Sequence, residues 1–162
     1  MKYVIDTNAL RTFFRFYYKS VTPELYDGFN RMIKNQDLIS VKEVYNEMNR
    51  QHQKDSEILK DLDTIKHIFL GPTSEEEIQI IKEIYKEINF RNNISEKNIL
   101  EGRPVADPFL VAKAKAEKAT LITSEKFSPN AAKIPNMCKK YKIRYIDFES
   151  FLIALRDYPK DT

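Results

Sequence analysis

Four acidic residues stand where their carboxylates can act together: Asp6, Glu47, Asp107 and Glu125. Asp6 closes the apolar run Tyr3-Val4-Ile5 and leads through Thr7-Asn8 into a helix-like pattern. Glu47 lies two turns into the helical stretch that follows a second apolar run. Asp107 sits in Ala106-Asp107-Pro108, ahead of Phe109-Leu110-Val111-Ala112, and Glu125 follows Leu121-Ile122-Thr123-Ser124. An acid held among apolar residues with other acids nearby suffers desolvation and like-charge repulsion, and a divalent cation removes both. Hard oxygen donors, with neither a pair of cysteines nor clustered histidines, point to magnesium or manganese. Each acid also has an ordinary structural role open to it. Asp6, Thr7 or Asn8 would cap the helix that follows, and Asp107 before Pro108 would cap another. Glu47 would be an exposed helical glutamate, much like Glu43 one turn earlier, and Glu125 would lie in a solvated turn.

Parallel strands alternating with helices would bring such acids to one sheet edge. Four short apolar runs read as strands covered on both faces: 3–6, 38–40, 120–124 and 144–148. Helical patterns fill 9–18, 22–35, 41–51, 55–70, 73–88, 106–118 and 147–158. Thr22-Pro23 starts the second of these, and its Leu25, Phe29, Met32 and Ile33 form one apolar stripe. Ile58, Leu62, Ile65 and Phe69 share a face of the fourth. Ser74-x-x-Glu77 is a capping box, Glu75 to Glu77 favour that helix N-terminus by their charge, and Asp147 caps the last helix. The polar stretch 90–105 contains Gly102 and Pro104 and reads as a loop. The expected architecture is a single α/β domain over 1–158, with a short, mostly parallel sheet, helices on both faces, and a frayed tail at 159–162.

Bulk properties narrow the function classes. With 162 residues, 42% hydrophobic and 31% charged, the chain has the length and composition of one globular domain. Only 3 glycines are present, and no glycine-rich phosphate loop is found among them. The single cysteine, Cys138, excludes a disulfide framework within the chain and suits a reducing, cytoplasmic setting. No apolar run approaches the length of a membrane span, and nothing reads as a signal peptide. A net charge of +3 and a pI near 8.8 permit nucleic-acid binding without demanding it. His52 and His67 read as surface residues.

Taken in order, four motifs resemble those of the PIN-domain nucleases, and more narrowly the VapC-like toxins and their PIN-like relatives. They are Val4-Ile5-Asp6-Thr7-Asn8, then Glu47 on the helix after the second strand. Next comes Ala106-Asp107 with its apolar run to Ala112, and last Leu121-Ile122-Thr123-Ser124-Glu125. The family pattern has aspartate at the last acid, where this chain carries Glu125, and its usual ending is replaced by "SEKFSPNAAKIPNMCKKYKI" (124–143). The segment from Lys133 to Cys138 is similar to one PIN-like subgroup rather than to the well-studied toxins.

The resemblance implies a metal-dependent ribonuclease, the toxin of a toxin–antitoxin pair. It implies Mg²⁺ or Mn²⁺ held by Asp6, Glu47 and Asp107, with Glu125 completing the site directly or through water. Asn8 and Thr123 would orient the carboxylates, with Thr7 and Ser124 in supporting roles. Expected partners are RNA, a cognate antitoxin protein and a second copy of the chain; no membrane is expected. Arg11, Arg15, Lys42, Arg50 and Arg103 would hold RNA phosphates. Tyr17 or Tyr18 would stack on an unpaired base, while Phe13, Phe14 and Phe16 read as core or dimer contacts. Three other readings compete. A haloacid-dehalogenase-type phosphatase needs a second aspartate where this chain has Asn8, and a receiver domain needs an acidic pair that the first strand lacks. A PIN-like module that binds RNA or protein without catalysis would differ by showing no saturable binding of divalent cations.

Overall fold

The computed structural model describes residues 1–90 and 105–160, with residues 88–90 as backbone only. Five parallel strands form the central sheet: β1 (Tyr3–Ile5), β2 (Leu38–Val41), β3 (Phe69–Leu70), β4 (Thr120–Ile122) and β5 (Tyr145–Ile146). Their order across the sheet is β3-β2-β1-β4-β5. β1 pairs with both β2 and β4, with Val4 opposite Ile39 on one side and Leu121 on the other. The strand order therefore reverses beside β1, and the crevice outside its carboxyl end is the switch point where open α/β sheets place their sites.

Around the sheet lie α1 (Thr7–Phe16), α2 (Pro23–Lys34), α3 (Lys42–Gln51), α4 (Ser56–Thr64), α5 (Glu75–Phe90), α6 (Asp107–Ala116), α7 (Ile134–Tyr141) and α8 (Phe148–Arg156). Aromatic rings join α1, α2 and α8. Phe13 stacks on Phe29 with centroids 4.3 Å apart and meets Phe151 edge-on, and Tyr17 packs edge-on against Phe148. Gly28 lets α2 approach α8 closely, since a Cβ built there would lie 2.1 Å from the Leu155 carbonyl oxygen. α6 carries Leu110, Val111, Ala112 and Ala114, all buried, against β1 and β2, and α5 and α7 pack on α6. This all-round burial is why α6 shows no apolar stripe.

Two sequence expectations change. The pattern over 55–70 is not one helix: α4 stops at Thr64, a 3₁₀ turn covers Lys66–Ile68, and Phe69–Leu70 forms the fifth strand beside β2. The apolar spacing is right, because Ile58, Leu62, Ile65 and Phe69 are all buried, but pairing with β2 overrides the helical period at the end of the run. Residues 134–141 form a helix that the sequence reading left unassigned, with Pro135 in its first turn. Glu77, expected in the capping box at a helix N-terminus, is also 1% exposed. Its carboxylate bonds Thr73 and Ser74 N–H as the capping box requires, and also meets Lys113 Nζ at 2.6 Å. Burial pushes its pKa up, but the Lys113 and Thr73 hydrogen bonds outweigh that and hold it below the usual value. The expected loop at 90–105 lies almost wholly outside the described residues.

Candidate active site

Asp6 leaves β1 in an extended conformation, and its Oδ1 accepts the Ala9 N–H at 2.7 Å, so it does cap α1. The Thr123 hydroxyl and the Ser124 N–H donate to the same carboxylate. Glu47 projects from α3 between two other elements. Its Oε2 accepts the Thr7 hydroxyl at 2.5 Å and its Oε1 the Ala106 N–H at 3.1 Å. Asp107 is not the cap of α6. Ala106 holds that position without a side-chain bond, and Asp107 is the first helical residue. Among the described residues none donates a hydrogen bond to the Asp107 carboxylate. Glu125 lies just past β4, where its N–H donates to Thr123 Oγ1 at 3.1 Å, and its Oε2 accepts the Ile134 N–H at 2.8 Å. It thus supplies the side-chain acceptor at the start of α7 that Lys133, the capping residue, lacks.

These four acids line one cleft of about 280 Å³, together with Thr7, Asn8, Arg50, Gln51 and Ile134. Crowding carboxylates out of water has the expected cost. Burial pushes Asp107 up to about 8, and the charges of Glu125, Glu47 and Asp6 push in the same direction. Burial lifts Asp6 to about 6 against the hydrogen bonds from Thr123, Ala9 and Ser124. Neither a histidine nor the buried Cys138 lines the cleft. Among the described residues no three acids, histidines or cysteines converge tightly enough to form a ready-made metal cage. The carboxylates of Asp6, Glu47 and Glu125 are instead turned toward N–H and O–H donors of their own framework. The donor set still fits a hard divalent cation, because it offers oxygen ligands and a deficit of positive charge.

The remaining predicted residues divide between cleft and elsewhere. Asn8 lines the cleft, but its Oδ1 accepts from the Arg11 guanidinium at 2.8 Å rather than orienting a carboxylate. Thr123 does hold Asp6. Ser124 acts through its backbone N–H, its side chain being exposed. Arg50 is in the cleft; Arg11 is beside it, donating also to Gln51 Oε1 at 3.2 Å. Arg15 lines an adjoining hollow with Gln51, His52 and Lys54. Lys42 is not in the cleft; its aliphatic chain lies 3.6 Å from where a Gly71 Cβ would be. Arg103 lies outside the described residues. Phe13 and Phe14 are core, Tyr17 is stacked on Phe13, and Phe16 and Tyr18 are 62% and 51% exposed, so Phe16 is not a core residue.

Gln51 joins the predicted residues in the cleft, and Thr7, expected in a supporting role, bonds Glu47 directly. Glu47, Arg50 and Gln51 are spaced i, i+3, i+4, which puts all three on one face of α3, so helical periodicity would have found Gln51. No local signal singles out Thr7 as the partner of Glu47, since 40 residues separate them. Glu43 is not equivalent to Glu47. It is half-buried outside the cleft, with one carboxylate oxygen lacking a hydrogen bond and its pKa raised by burial. His52 is not a surface residue; it is 7% exposed, and burial lowers its pKa.

Comparison with known proteins agrees with this architecture. The model of a family described as a domain of unknown function (DUF4411) matches residues 3–157. The chain belongs to that family. Among solved structures, the DUF4411 chain is similar to a chain of VapBC2 from Rickettsia felis, a complex bound to a DNA fragment from its promoter. The identity is 17% and the TM-score 0.54, over 91% of this chain and 98% of that one. It is also similar to a chain of VapBC-1 from nontypeable Haemophilus influenzae, at 15% identity and TM-score 0.57, over 92% of this chain and 99% of that one. None of the curated proteins matches significantly by sequence. The DUF4411 fold is therefore PIN-like, an α/β sheet of the VapC type. Among the described residues no helix is long and apolar enough to cross a membrane.

Proposed function

We propose that this protein is a metal-dependent endoribonuclease that hydrolyses RNA phosphodiester bonds, acting as the toxin of a toxin–antitoxin pair. The observation that carries the reading is the convergence of Asp6, Glu47, Asp107 and Glu125 from four separate elements into one cleft, where two of them resist ionisation. Such an arrangement is unfavourable without a cation and favourable with one. Asp6, Glu47 and Asp107 would hold Mg²⁺ or Mn²⁺, with Glu125 joining directly or through water. The ion, when bound, polarises the scissile phosphate and lowers the pKa of the attacking water. The Thr123 hydroxyl orients Asp6 and the Thr7 hydroxyl orients Glu47. Arg50, inside the cleft, would bind a non-bridging phosphate oxygen, and Arg11, fixed by Asn8, would hold the backbone at its rim. Cytoplasmic action on RNA and control by a protein antitoxin belong to the same proposal, and the likeness to chains of VapBC complexes supports the antitoxin.

The deciding variant is Asp6→Asn, which keeps side-chain volume and removes one negative charge. Purified wild-type protein should cut RNA only with Mg²⁺ or Mn²⁺ present, and the variant should not cut while keeping the wild-type circular dichroism spectrum. Cleavage by the folded variant at the wild-type rate would sink the proposal. A binding module without catalysis would give no cleavage from either protein and no saturable uptake of Mn²⁺.

A further inference from the structure

α6 and α7 end in the same way. After each last turn one residue takes the left-handed conformation, Lys118 at φ 51° and Lys142 at φ 55°. The next residue then donates its N–H back into the helix, Ala119 to Ala114 O at 2.9 Å and Ile143 to Cys138 O at 2.8 Å. This is the Schellman closure, whose left-handed position favours glycine because a Cβ is strained there. Both positions carry lysine instead, and both lysines line one hollow of about 360 Å³ with Lys115 and Arg144. The hollow lies at the amino ends of β4 and β5, the opposite end of the sheet from the acid cleft. Among the described residues no carboxylate lines it. The nearest acid in sequence, Glu117, is held by Lys2 Nζ at 2.7 Å, and the Met1 ammonium lies 3.7 Å from Asp37. Lys115 Nζ is engaged by the Tyr141 carbonyl at 3.1 Å. Lys118, Lys142 and Arg144 are exposed and form no ion pair among the described residues.

We propose that this hollow binds the phosphate backbone of nucleic acid, independently of hydrolysis at the acid cleft. Complementing a helix dipole accounts for lysines in a last turn, but not for Arg144 ahead of a strand, nor for three exposed cations gathered round one hollow. Three exposed cations around a shallow hollow match phosphates spaced along a chain, whereas a lone phosphate is held by converging donors. Among the described lining residues Met1 alone offers an exposed apolar side chain, too little to anchor in a lipid layer, and no aromatic ring is there to stack on a base, so the contact is independent of sequence.

The test uses the whole protein in EDTA, so that binding is read without cleavage. Affinity for a fluorescent single-stranded RNA of 30 nucleotides is measured across a range of salt concentrations. The variant is Lys118→Gly/Lys142→Gly/Arg144→Gln. Glycine suits the left-handed positions, so the melting temperature should hold or rise. Lys118→Asn/Lys142→Asn repeats the test if glycine loosens the chain. At moderate salt the variant should bind about 10-fold or more weakly, and its log–log salt slope should be shallower by about 2, near 0.7 for each lost phosphate contact. A folded variant with wild-type affinity and slope would overturn the proposal. So would wild-type protein that binds vesicles of anionic phospholipid through these residues but not RNA. Neither result bears on the acid cleft.

Discussion

At Asp107 a carboxylate sits with no hydrogen-bond donor among the described residues and three other acids around it, and its pKa rises from 3.8 to about 8. Asp6 moves the same way, from 3.8 to about 6. Both folded values lie above the unfolded ones, so the unfolded chain gives up these protons first as pH rises. Their contribution to stability is complete below about pH 4 and is lost as pH climbs through 6 and 8. The metal-free protein should therefore melt at falling temperatures between about pH 4 and pH 8. Asp6→Asn/Asp107→Asn should flatten that fall, as thermal melts in EDTA across the range would show. Wild-type melts that do not vary with pH would mean that the carboxylates are not crowded as described. Binding of Mn²⁺ at neutral pH should release a proton, chiefly from Asp107, measurable by calorimetry in buffers of different ionisation enthalpy.

The four acids are also not equal in what else they do. Asp6→Ala and Asp107→Ala should lose all measurable cleavage and Glu47→Ala nearly all. Glu125→Ala should keep a small metal-dependent remainder, of the ~10–100-fold loss typical of groups that act through another ligand. Because Glu125 accepts the Ile134 N–H, that variant should also lose about 1 kcal/mol of stability, as a lost helix cap does. A Glu125→Ala protein as inactive as Asp6→Ala would place Glu125 directly on the metal.

Between elements, two contacts tie the helical layers. α2 crosses α8 at Gly28, where a methyl group would meet the Leu155 carbonyl oxygen. Alanine is the better helix former by about 1 kcal/mol, so on propensity alone Gly28→Ala would stabilise. The backbone oxygen cannot yield as a side chain would, and overpacking of this kind costs about 1–3 kcal/mol. Gly28→Ala should therefore be destabilising by chemical denaturation, and a raised midpoint would contradict the close crossing. α5 is joined to α6 by the buried Glu77–Lys113 pair, with Lys113 Nζ also donating to Gly71 O at 2.9 Å. Lys113→Met leaves Glu77 buried without its cation and should cost about 3–5 kcal/mol. Glu77→Gln/Lys113→Met should recover much of that loss.

For the molecule as a whole, charge is divided between the two ends of the sheet. The carboxyl end gathers four acids around β1 and β4, and the amino end gathers Lys118, Lys142 and Arg144. A cation that binds only the folded state stabilises it by mass action, by about 2.7 kcal/mol at a concentration 100 times its Kd. Mg²⁺ or Mn²⁺ should thus raise the melting temperature of the wild type, and Asp6→Asn/Asp107→Asn should abolish the rise. An equal rise in that double variant would locate the ions elsewhere.

Much of this was legible along the chain. Short unbroken apolar runs marked β1, β2, β4 and β5, since strands covered on both faces have no polar side to show. Asp6, Asp107 and Glu125 were visible because each stands at the boundary of such an element. Ser74 and Asp147 were readable as caps because capping is settled within one turn. Contacts across long separations were not legible. The two-residue β3 exists only because β2 offers it an edge, and nothing in Phe69-Leu70 says so. Whether Glu47 or Glu43 faces the cleft is settled by Thr7 and Ala106, which lie far off in sequence. Glu77 was legible as the acid of a capping box, but not as the buried partner of Lys113, which meets it from α6. Local rules read hydrogen bonds closed within a few residues and faces repeated along one element. Which buried acid finds which distant donor depends on how the layers pack, and that is decided only when the chain closes on itself.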